Sequence, residues 1–422
     1  MADPVQPHLV IVGSGFAGLN CARALRKAPI AITVIDRTNH HLFQPLLYQV
    51  ATASLSPVDI ATPIRAIFRH QKNVRVLLAE VTDIELAGKS VTMDGGDVLQ
   101  WDYLLLATGA THSYFGHPEW EPHARGLKTL DDAIAIRNET LMAFEQGERA
   151  TSDVDRTNDL SFAIVGGGPT GVELAGAIAE IAQHSLARDF DTIDPTQSQI
   201  HLIEAGPRLL ATFPESLAKR AQRELESLGV RVRLNSRVTN IDATGITLAD
   251  GERIAAHTRL WAAGVQASAM GALAGLSTDR AGRIFVDPDL RVSGWPTVFA
   301  AGDQVTLTGP NGKPYPGVAQ VAIQQGKCVA KNIEALIQGA STSPFHYSDR
   351  GNMATVGRNF AIAEIWKFRL AGFPAWLVWI FIHIAYLIGF RNRVFVLLQW
   401  AYGYLTYHRR VRLITRPGKQ SS

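Results

Sequence analysis

The sequence predicts an α/β fold of two Rossmann-like domains followed by a C-terminal helical region. Three observations support this prediction. A strand, a glycine-rich turn and a helix follow one another at the N-terminus, and the same succession recurs in the middle of the chain. After residue 345, long apolar runs bounded by basic and aromatic residues replace the α/β pattern. A chain of 422 residues is long enough for two such domains and an extension.

The first motif joins a strand to a glycine turn and a helix. His8–Val12 is a short apolar run, Gly13–Gly18 (GSGFAG) is the turn, and Leu19–Lys27 has a helical pattern. The first glycine permits the bend, the second lets the backbone approach a pyrophosphate, and the third allows close packing of the helix, whose free N–H groups face the phosphates. A second strand, Ala31–Ile35, ends at Asp36, where a carboxylate accepts ribose hydroxyls. The motif predicts a dinucleotide site.

The same succession recurs later in the chain. Leu160–Val165 is an apolar strand, Gly166–Gly171 (GGGPTG) is the turn, and Val172–Gln183 is an amphipathic helix. The next strand, Gln199–Ile203, ends in Glu204, again in the ribose position. Because a carboxylate there repels a 2′-phosphate, we predict a second dinucleotide site that prefers NADH to NADPH.

Three further apolar strands stop abruptly at small residues: Tyr103–Gly109, Leu260–Gly264 and Val298–Asp303. Bulky side chains at these ends would keep the backbone away from a flat cofactor. Asp303 is placed to accept hydrogen bonds from the sugar-alcohol chain of a flavin, and an ordinary turn aspartate is the alternative.

Charge is distributed unevenly along the chain. The formal net charge is only +3, but no acidic residue follows Glu364. The bases beyond it are separated by long apolar runs, which favours an anionic lipid surface over nucleic acid as the partner. These bases are Lys367, Arg369, Arg391, Arg393, Arg409, Arg410, Arg412, Arg416 and Lys419.

Cysteine usage argues against several kinds of site. Cys21 and Cys328 form no CxxC or CxxxxC pair, so neither a redox-active dithiol nor a disulfide framework is predicted. We expect both to be packing residues in a reducing compartment, and we expect no metal site. The N-terminus enters a strand at once, without the charged and apolar segments of a secretory signal.

These motifs resemble those of the two-dinucleotide-binding-domain flavoproteins and, within them, of type II NADH dehydrogenase, the non-pumping NADH:quinone oxidoreductase family. The resemblance spans nearly the whole chain. Its most specific stretches are His41–Ala51 (HLFQPLLYQVA), Gly171–Gly176 (GVELAG) and Ala319–Gln325 (AQVAIQQ). The last of these matches the family's AQxAxQ quinone-site motif.

The resemblance implies FAD as the cofactor, NADH as the substrate and contact positions for both. Val81 is expected to touch the adenine through its backbone, and Ala319 is counted with the cofactor contacts. The positions implied for FAD are Gly13, Ser14, Gly15, Phe16, Ala17, Gly18, Asp36, Arg37, Ala107, Thr108, Gly109, Gly302 and Asp303. The positions implied for NADH are Gly166, Gly168, Pro169, Thr170, Gly171, Glu204, Ala263 and Gly264.

Three side chains are implied to take part in the reaction. Glu173 matches an acid that the family places near the nicotinamide and the flavin, and stabilisation by the positive helix end is its alternative role. Gln320 and Gln324 match residues beside the quinone end of the flavin. Their spacing puts both on one helix face, although a solvated helix face has the same pattern.

The segment after Phe345 has three interpretations: a soluble core, a membrane span, or a helical hairpin lying in the membrane interface. Phe373–Phe390 carries no charged residue, and the uncharged window 370–390 is close to the ~20 residues that cross a bilayer. Glycine, proline and histidine within this window argue against its interpretation as a membrane span. The second run, Val394–Tyr407, is rich in residues that prefer the level of the lipid headgroups. We therefore favour a monotopic anchor.

The predicted organisation has two dinucleotide-binding domains, of which the FAD domain is discontinuous and the NADH domain inserted, plus a C-terminal helical membrane-anchoring region. Residues 1–115 form the first part of the FAD-binding domain, 116–288 the NADH-binding domain, 289–344 the second part of the FAD-binding domain, and 345–422 the membrane-anchor region.

The predicted function is a non-proton-pumping NADH:quinone oxidoreductase, in which a hydride passes from NADH to FAD and two electrons pass on to a membrane quinone. The alternatives are an NADH-dependent flavin reductase of another acceptor, such as an iron–sulfur protein, and a redox-sensing flavoprotein resembling apoptosis-inducing factor. We expect a peripheral protein on the cytoplasmic face of a bacterial inner membrane, with no nucleic-acid partner. Homodimerisation stays open.

Overall fold

The computed structural model describes residues 6–387, 390–406 and 412–415. Its strands are short and are numbered here from the N-terminus. They are β1 His8–Val12, β2 Ala31–Asp36, β3 His40–Leu42, β4 Ala61–Pro63, β5 Val74–Leu78, β6 Val81–Glu85, β7 Ser90–Met93, β8 Val98–Gln100, β9 Tyr103–Leu106, β10 Ala110–His112, β11 Arg125–Gly126, β12 Ser161–Val165, β13 Gln199–Ile203, β14 Val230–Arg233, β15 Val238–Asp242, β16 Gly245–Leu248, β17 Arg253–Ala255, β18 Thr258–Trp261, β19 Val265–Ala267, β20 Ile284–Phe285, β21 Arg291–Val292, β22 Trp295–Ala300, β23 Val305–Thr306, β24 Asn352–Val356, β25 Phe360–Ile365 and β26 Phe368–Gly372.

The α-helices range from a single turn to twenty residues. They are α1 Phe16–Ala24, α2 Leu47–Ala51, α3 Pro57–Ile60, α4 Ile64–Phe68, α5 Leu130–Arg149, α6 Asp153–Asp159, α7 Pro169–Glu180, α8 Glu215–Ser227, α9 Met270–Leu273, α10 Ala319–Ile337, α11 Phe373–Tyr386 and α12 Phe390–Thr406.

The chain divides into two compact units. The first unit comprises Met1–Leu42, Ala61–Thr111 and Val265–Asp349, and the second comprises Phe43–Ile60, His112–Gly264 and Arg350–Ser422. Each unit is built on its own, mainly parallel sheet.

The sheet of the first unit has six strands in the order β21-β22-β9-β1-β2-β5, of which only the edge strand β21 is antiparallel to its neighbour. The central strand β1 is apolar and buried on both faces, as expected inside a parallel sheet. Val12 lies opposite Ile35 and Leu106, so β1, β2 and β9 end at the same edge. This register brings Gly13, Asp36 and the start of the Ala107 turn together.

Helices α1 and α10 pack closely on one another within the first unit. The contact depends on Gly326, because a Cβ there would lie 2.9 Å from the carbonyl carbon of Ala17 and would collide with its oxygen. The AQVAIQQ segment forms the start of helix α10, from Ala319. This segment is therefore held directly against α1, the helix that follows the glycine turn.

The sheet of the second unit repeats the same plan. Its five strands are parallel, in the order β11-β18-β12-β13-β14. Every residue of β12 is buried, and Val165 lies opposite Ile203 and Trp261. The ends of β12, β13 and β18 therefore meet at one edge, where the second glycine turn begins.

The C-terminal part of the second unit opens with a three-stranded antiparallel sheet, β24-β25-β26, that the sequence analysis did not predict. This sheet packs against α7 and α8. Gly176 of α7 allows the close approach, because a Cβ there would lie 2.7 Å from the backbone nitrogen of Gly357. Helix α11 follows β26 directly and packs on β25.

Both predicted apolar segments form helices, but the bounds of these helices differ from the predicted ones. Helix α11 ends at Tyr386, earlier than the predicted Phe390, and α12 begins at Phe390. Among the described residues, no helix combines the length and the apolar character that crossing a bilayer requires. Several bases of the predicted basic pole lie outside the described residues, namely Arg409, Arg410, Arg416 and Lys419, as does Tyr407.

The predicted domain boundaries differ from the compact units by a few residues near 115 and 345 and by longer segments in three places. Residues 43–60 belong to the second unit, because α2 packs on α5 and α7, and α3 packs on α12. Residues 265–288 return to the first unit, where β20 pairs with β23. Arg350–Ser422 is grouped with the second unit, where β24 packs on α7.

Candidate functional site

The first glycine turn forms a cradle that only glycine can make. Gly13 has a φ of +99°, and a Cβ there would lie 2.7 Å from the carbonyl carbon of Ala107. At Gly18, a Cβ would collide with the carbonyl oxygen of Gly13 and lie 3.0 Å from the Ile11 side chain. Between them, Gly15 is the open position, because a Cβ there would meet only the Ala107 carbonyl oxygen at 3.8 Å, and its backbone can approach a pyrophosphate as in dinucleotide folds.

Asp36 holds this cradle in place. One carboxylate oxygen accepts hydrogen bonds from the backbone N–H of Ser14 at 2.6 Å and from its hydroxyl at 2.7 Å. The other accepts from the backbone N–H and the hydroxyl of Thr38, both at 2.8 Å. These four bonds occupy all the lone pairs with which the two carboxylate oxygens accept hydrogen bonds. A ribose hydroxyl can donate a hydrogen bond to Asp36 when the hydroxyl of Ser14 or Thr38 rotates away.

His41 supplies an unpaired polar atom beside the cradle. It is buried, its Nδ1 lies 2.9 Å from the carbonyl oxygen of Ser14, and its ring meets the Phe16 ring edge-on. Burial lowers the pKa of His41, so the ring is neutral, and Nδ1 must carry the hydrogen because a carbonyl only accepts. Nε2 is then a buried acceptor that has no partner in the described part of the chain. A cofactor hydroxyl fits this atom, and FAD contains several.

Two glutamines that the sequence analysis did not select fix the neighbouring strand ends. The Thr108 hydroxyl is in close hydrogen-bond contact with Ser268 Oγ and Gln304 Oε1. The backbone N–H of Gly302 donates to Gln325 Oε1 at 2.7 Å, and both glutamines are buried. Gln325 adjoins the motif glutamine at 324, but its role depends on a contact across the fold, which spacing does not reveal.

The second glycine turn forms the equivalent cradle in the second unit. Gly166 has a φ of +113°, and a Cβ there would lie 2.7 Å from the Cα of Ala263. Glu204 accepts the backbone N–H of Gly167 at 2.7 Å and that of Gly206 at 2.6 Å, one on each oxygen. Each oxygen keeps a further lone pair, so Glu204 can hold the turn and accept ribose hydroxyls together.

Glu173 is a carboxylic acid whose carboxyl group is buried. It lies on α7 with only partial exposure, and burial of its carboxyl group raises its pKa to about 8. A hydrogen bond from the backbone of Thr355 acts in the opposite direction but is outweighed. The helix-end alternative implies a lowered pKa, so desolvation, not the helix dipole, dominates at Glu173.

A chain of hydrogen bonds connects the surroundings of Glu173 to helix α12. The hydroxyl of Tyr48 lies 2.9 Å from the Thr355 hydroxyl, and Gln49 Nε2 donates to Tyr48 at 3.0 Å. Trp400 Nε1 donates to Gln49 Oε1 at 2.7 Å. Tyr48 and Gln49 belong to the HLFQPLLYQVA stretch, but their partners lie more than 300 residues away, at separations of 307 and 351. Spacing alone could not identify these pairs.

The two motif glutamines differ in their availability. Gln324 donates from Nε2 to the carbonyl of Ser348 at 2.9 Å and accepts from its N–H at 2.9 Å, so both ends of the amide are engaged. Gln320 is half-buried, and its Oε1 has no partner in the described residues. Of the pair, Gln320 is the side chain with an atom available for a ligand.

The other implied contact residues lie around the same strand ends and helix starts. Val81 is buried at the start of β6, Arg37 is exposed after Asp36, and Gly264 lies so close to Ser113 that a Cβ would be 2.9 Å from its carbonyl oxygen. The others are Gly15, Ala17 and Gly109 in the first unit, Gly168, Pro169, Thr170 and Gly171 in the second, and Asp303 and Ala319 beside the Gly302 turn and at the start of α10.

Comparisons with known proteins identify the family. Residues 7–326 match the family described as pyridine nucleotide-disulphide oxidoreductase. The chain is 45% identical to Type II NADH:quinone oxidoreductase NdhA of Mycobacterium tuberculosis, over 97% of this chain and 89% of that protein. It is 44% identical to Type II NADH:quinone oxidoreductase Ndh of the same organism, over 98% and 92%.

A solved structure has the same fold. It is NDH2 from Plasmodium falciparum in complex with NADH, with a TM-score of 0.89 at 20% identity, covering 97% of this chain and all of that one. The prediction of an FAD-dependent NADH dehydrogenase that passes electrons to a quinone is confirmed. The chain belongs to the type II NADH:quinone oxidoreductases, within the pyridine nucleotide-disulphide oxidoreductase family.

Proposed function

We propose that the cradle of the first unit holds FAD and that of the second unit holds NADH, and that the protein works at a membrane surface where a lipid-soluble quinone is the acceptor. One observation carries this proposal: strand, glycine turn, helix and terminal acid are built twice, once in each unit. When bound, FAD accepts a hydride from NADH and passes two electrons to the quinone.

Residues of the first unit orient the cofactor. Gly15 leaves the backbone open to the pyrophosphate and Gly13 and Gly18 allow the tight turn, while Asp36 binds a ribose hydroxyl through a lone pair that Ser14 or Thr38 releases. The buried Nε2 of His41 supports a hydroxyl as its partner. Gln304 and Gln325 support the roles of Thr108 and Gly302 by fixing both strand ends.

In the second unit, Glu204 binds the adenosine ribose of NADH and Glu173 handles a proton. A carboxyl group with a pKa of about 8 is protonated at neutral pH. Such a group can give up a proton when a reduced quinone needs one, and regain it near neutral pH. Gln320, whose Oε1 is unpaired, is the better candidate to meet the quinone, whereas Gln324 acts by holding the Ser348 backbone.

The C-terminal helices support peripheral attachment to a membrane. Helix α11 exposes Phe373, Leu377 and Phe381 at intervals of four residues, so these side chains form one apolar stripe, and its opposite face buries Trp379. Helix α12 also exposes large apolar side chains, among them Phe395 and Leu398. We propose that these surfaces lie in the cytoplasmic interface of a bacterial inner membrane.

Paired glycine variants test the assignment of the two cradles. Gly15→Val fills the open side of the first cradle, where a Cβ meets only the Ala107 carbonyl oxygen at 3.8 Å, and is expected to yield protein without flavin absorption. Gly168→Val fills the second, where a Cβ meets nothing within 4 Å, and is expected to keep the flavin spectrum but lose its bleaching by NADH. Gly312→Ala, in a turn where a Cβ meets nothing, controls for loss of a glycine. Retention of flavin by the Gly15 variant, or normal bleaching in the Gly168 variant, would contradict the assignment.

A further inference from the structure

A basic groove in the second unit lies beside the strand that leads into the apolar helices. The groove has a volume of about 650 Å³ and is formed by helix α8 and strand β26. Its charged lining is strongly biased, with four basic side chains against a single acid, Glu215. The basic residues are Lys219, Arg220, Arg223 and Arg369.

The bases of α8 share the solvent side of the helix. Lys219 and Arg223 are four residues apart and Arg220 adjoins them, whereas Leu217, Ala221 and Leu225 are buried on the opposite face. The helix is fixed in this orientation by its packing on the antiparallel sheet.

The two arginines of α8 are available for a ligand. Lys219 pairs with Glu215 at 2.7 Å, and Arg369 lies 3.7 Å from Glu364. Neither Arg220 nor Arg223 has an ion-pair partner within the described ranges, and both are exposed. Two of the four bases that line the groove are therefore unpaired.

The hairpin that carries Arg369 also exposes large apolar side chains. Trp366, at the turn before β26, is 78% exposed, and Phe368, which precedes Arg369 and points to the opposite face of the strand, is 68% exposed. The same strand continues through Gly372 into α11, whose stripe ends at Phe381, 75% exposed. Bases beside exposed aromatic and aliphatic side chains are the surface that binds anionic bilayers.

We propose that this groove binds the headgroups of anionic phospholipids while the adjacent apolar side chains enter the bilayer. The inference rests on the membrane attachment proposed above and extends it to a helix of the nucleotide-binding unit. Phosphate of nucleic acid is the alternative ligand for such bases, but the apolar neighbours favour lipid.

Vesicle binding by the full-length, FAD-loaded protein tests the proposal. Wild type is compared with Arg220→Gln/Arg223→Gln on vesicles of phosphatidylcholine alone and on equal parts of phosphatidylglycerol and phosphatidylcholine. A basic residue near an anionic surface contributes about five-fold to partitioning. We expect the double variant to bind mixed vesicles about 25-fold more weakly and to keep its affinity for phosphatidylcholine.

Controls separate the groove from net charge and from folding. Arg26→Gln/Lys27→Gln changes net charge equally on exposed residues of the first unit and is expected to leave partitioning nearly unchanged. Flavin content and NADH oxidation with a water-soluble quinone should be the same in all proteins, because neither arginine belongs to the cofactor sites.

Three outcomes would overturn the proposal. They are equal partitioning of wild type and the groove variant, an equal loss in the control variant, and tighter binding of the groove to an RNA oligonucleotide than to mixed vesicles. Wild type that binds no vesicle at all would instead refute the membrane attachment itself.

Discussion

Asp36 and Glu204 occupy equivalent positions at the ends of their strands but differ in how many hydrogen bonds they already accept. Asp36 accepts four bonds from Ser14 and Thr38, whereas Glu204 accepts two from backbone N–H groups. Glu204 is thus ready to accept ribose hydroxyls and to repel a 2′-phosphate.

Substitution of Glu204 tests the nucleotide preference. We expect Glu204→Arg to lower the NADH/NADPH ratio of kcat/KM on the order of ten-fold or more, since opposite charges about 4 Å apart contribute about 1 to 4 kcal/mol. Glu204→Gln, which keeps the acceptor but not the charge, should change the ratio less. Steady-state kinetics with both nucleotides provide the measurement, and an unchanged ratio in the arginine variant would contradict the assignment.

The raised pKa of Glu173 has a consequence for stability. In the unfolded chain the carboxyl group loses its proton near pH 4.5, whereas in the folded protein it keeps it up to about pH 8. Below about pH 4.5, wild type therefore has the same free energy of unfolding, as far as this group is concerned, as a protein whose side chain cannot ionise. Its free energy of unfolding then falls as the pH rises toward 8.

Glu173→Gln isolates this effect. The glutamine has nearly the same shape and cannot ionise, so the melting temperature of wild type should fall relative to that of the variant between about pH 4.5 and pH 8. Thermal unfolding of both proteins across this range is the measurement. Parallel curves would show that the folded protein does not hold Glu173 protonated.

At the scale of elements, the close contact between α1 and α10 joins the glycine turn to the AQVAIQQ segment. Gly326→Ala forces α10 away from Ala17, and overpacking of this kind costs about 1 to 3 kcal/mol. We expect a lower melting temperature and release of FAD at a lower temperature. Lys331→Ala, on the exposed side of the same helix, should change neither. Equal behaviour of both variants would mean that the α1 to α10 contact is not tight.

Helix α12 contacts the HLFQPLLYQVA stretch through the hydrogen bond from Trp400 to Gln49. Trp400→Phe keeps the aromatic ring beside Trp379 but leaves the buried Gln49 oxygen without its donor, a loss of about 1 to 3 kcal/mol. Amide hydrogen exchange in α12 should become about ten-fold faster. Trp366→Phe, at an exposed site, serves as the control, and unchanged exchange in the Trp400 variant would contradict the contact.

Element prediction succeeded where one motif determines the structure and failed where distant segments meet. The spacing of His8–Val12 and Gln199–Ile203 gave both strands with the bounds that the structure has. The sheet β24-β25-β26 was missed, since it directly precedes the apolar runs that were interpreted as helical and was included with them in the anchor region. Its buried face is defined by α7 and α8, more than 100 residues earlier.

For the whole molecule, the sequence indicated two dinucleotide-binding folds, and both are present. Their boundaries were harder to predict, because residues 43–60 and 350–422 join the second unit through packing between segments far apart in sequence. Of the implied reaction residues, Glu173 has the chemistry for proton exchange, while Gln324 proves to be engaged with Ser348. Side-chain availability of this kind follows only from the assembled structure.

The central claim is that one protein carries both half-reactions, from NADH to flavin and from flavin to quinone. Anaerobic rapid mixing tests it most directly: the purified protein is mixed with one equivalent of NADH and then with a ubiquinone or menaquinone analogue, while the flavin absorption is followed. We predict bleaching by NADH and full recovery of the flavin spectrum with the quinone. Flavin that NADH reduces but that only an iron–sulfur protein, or no acceptor, reoxidises would contradict the account.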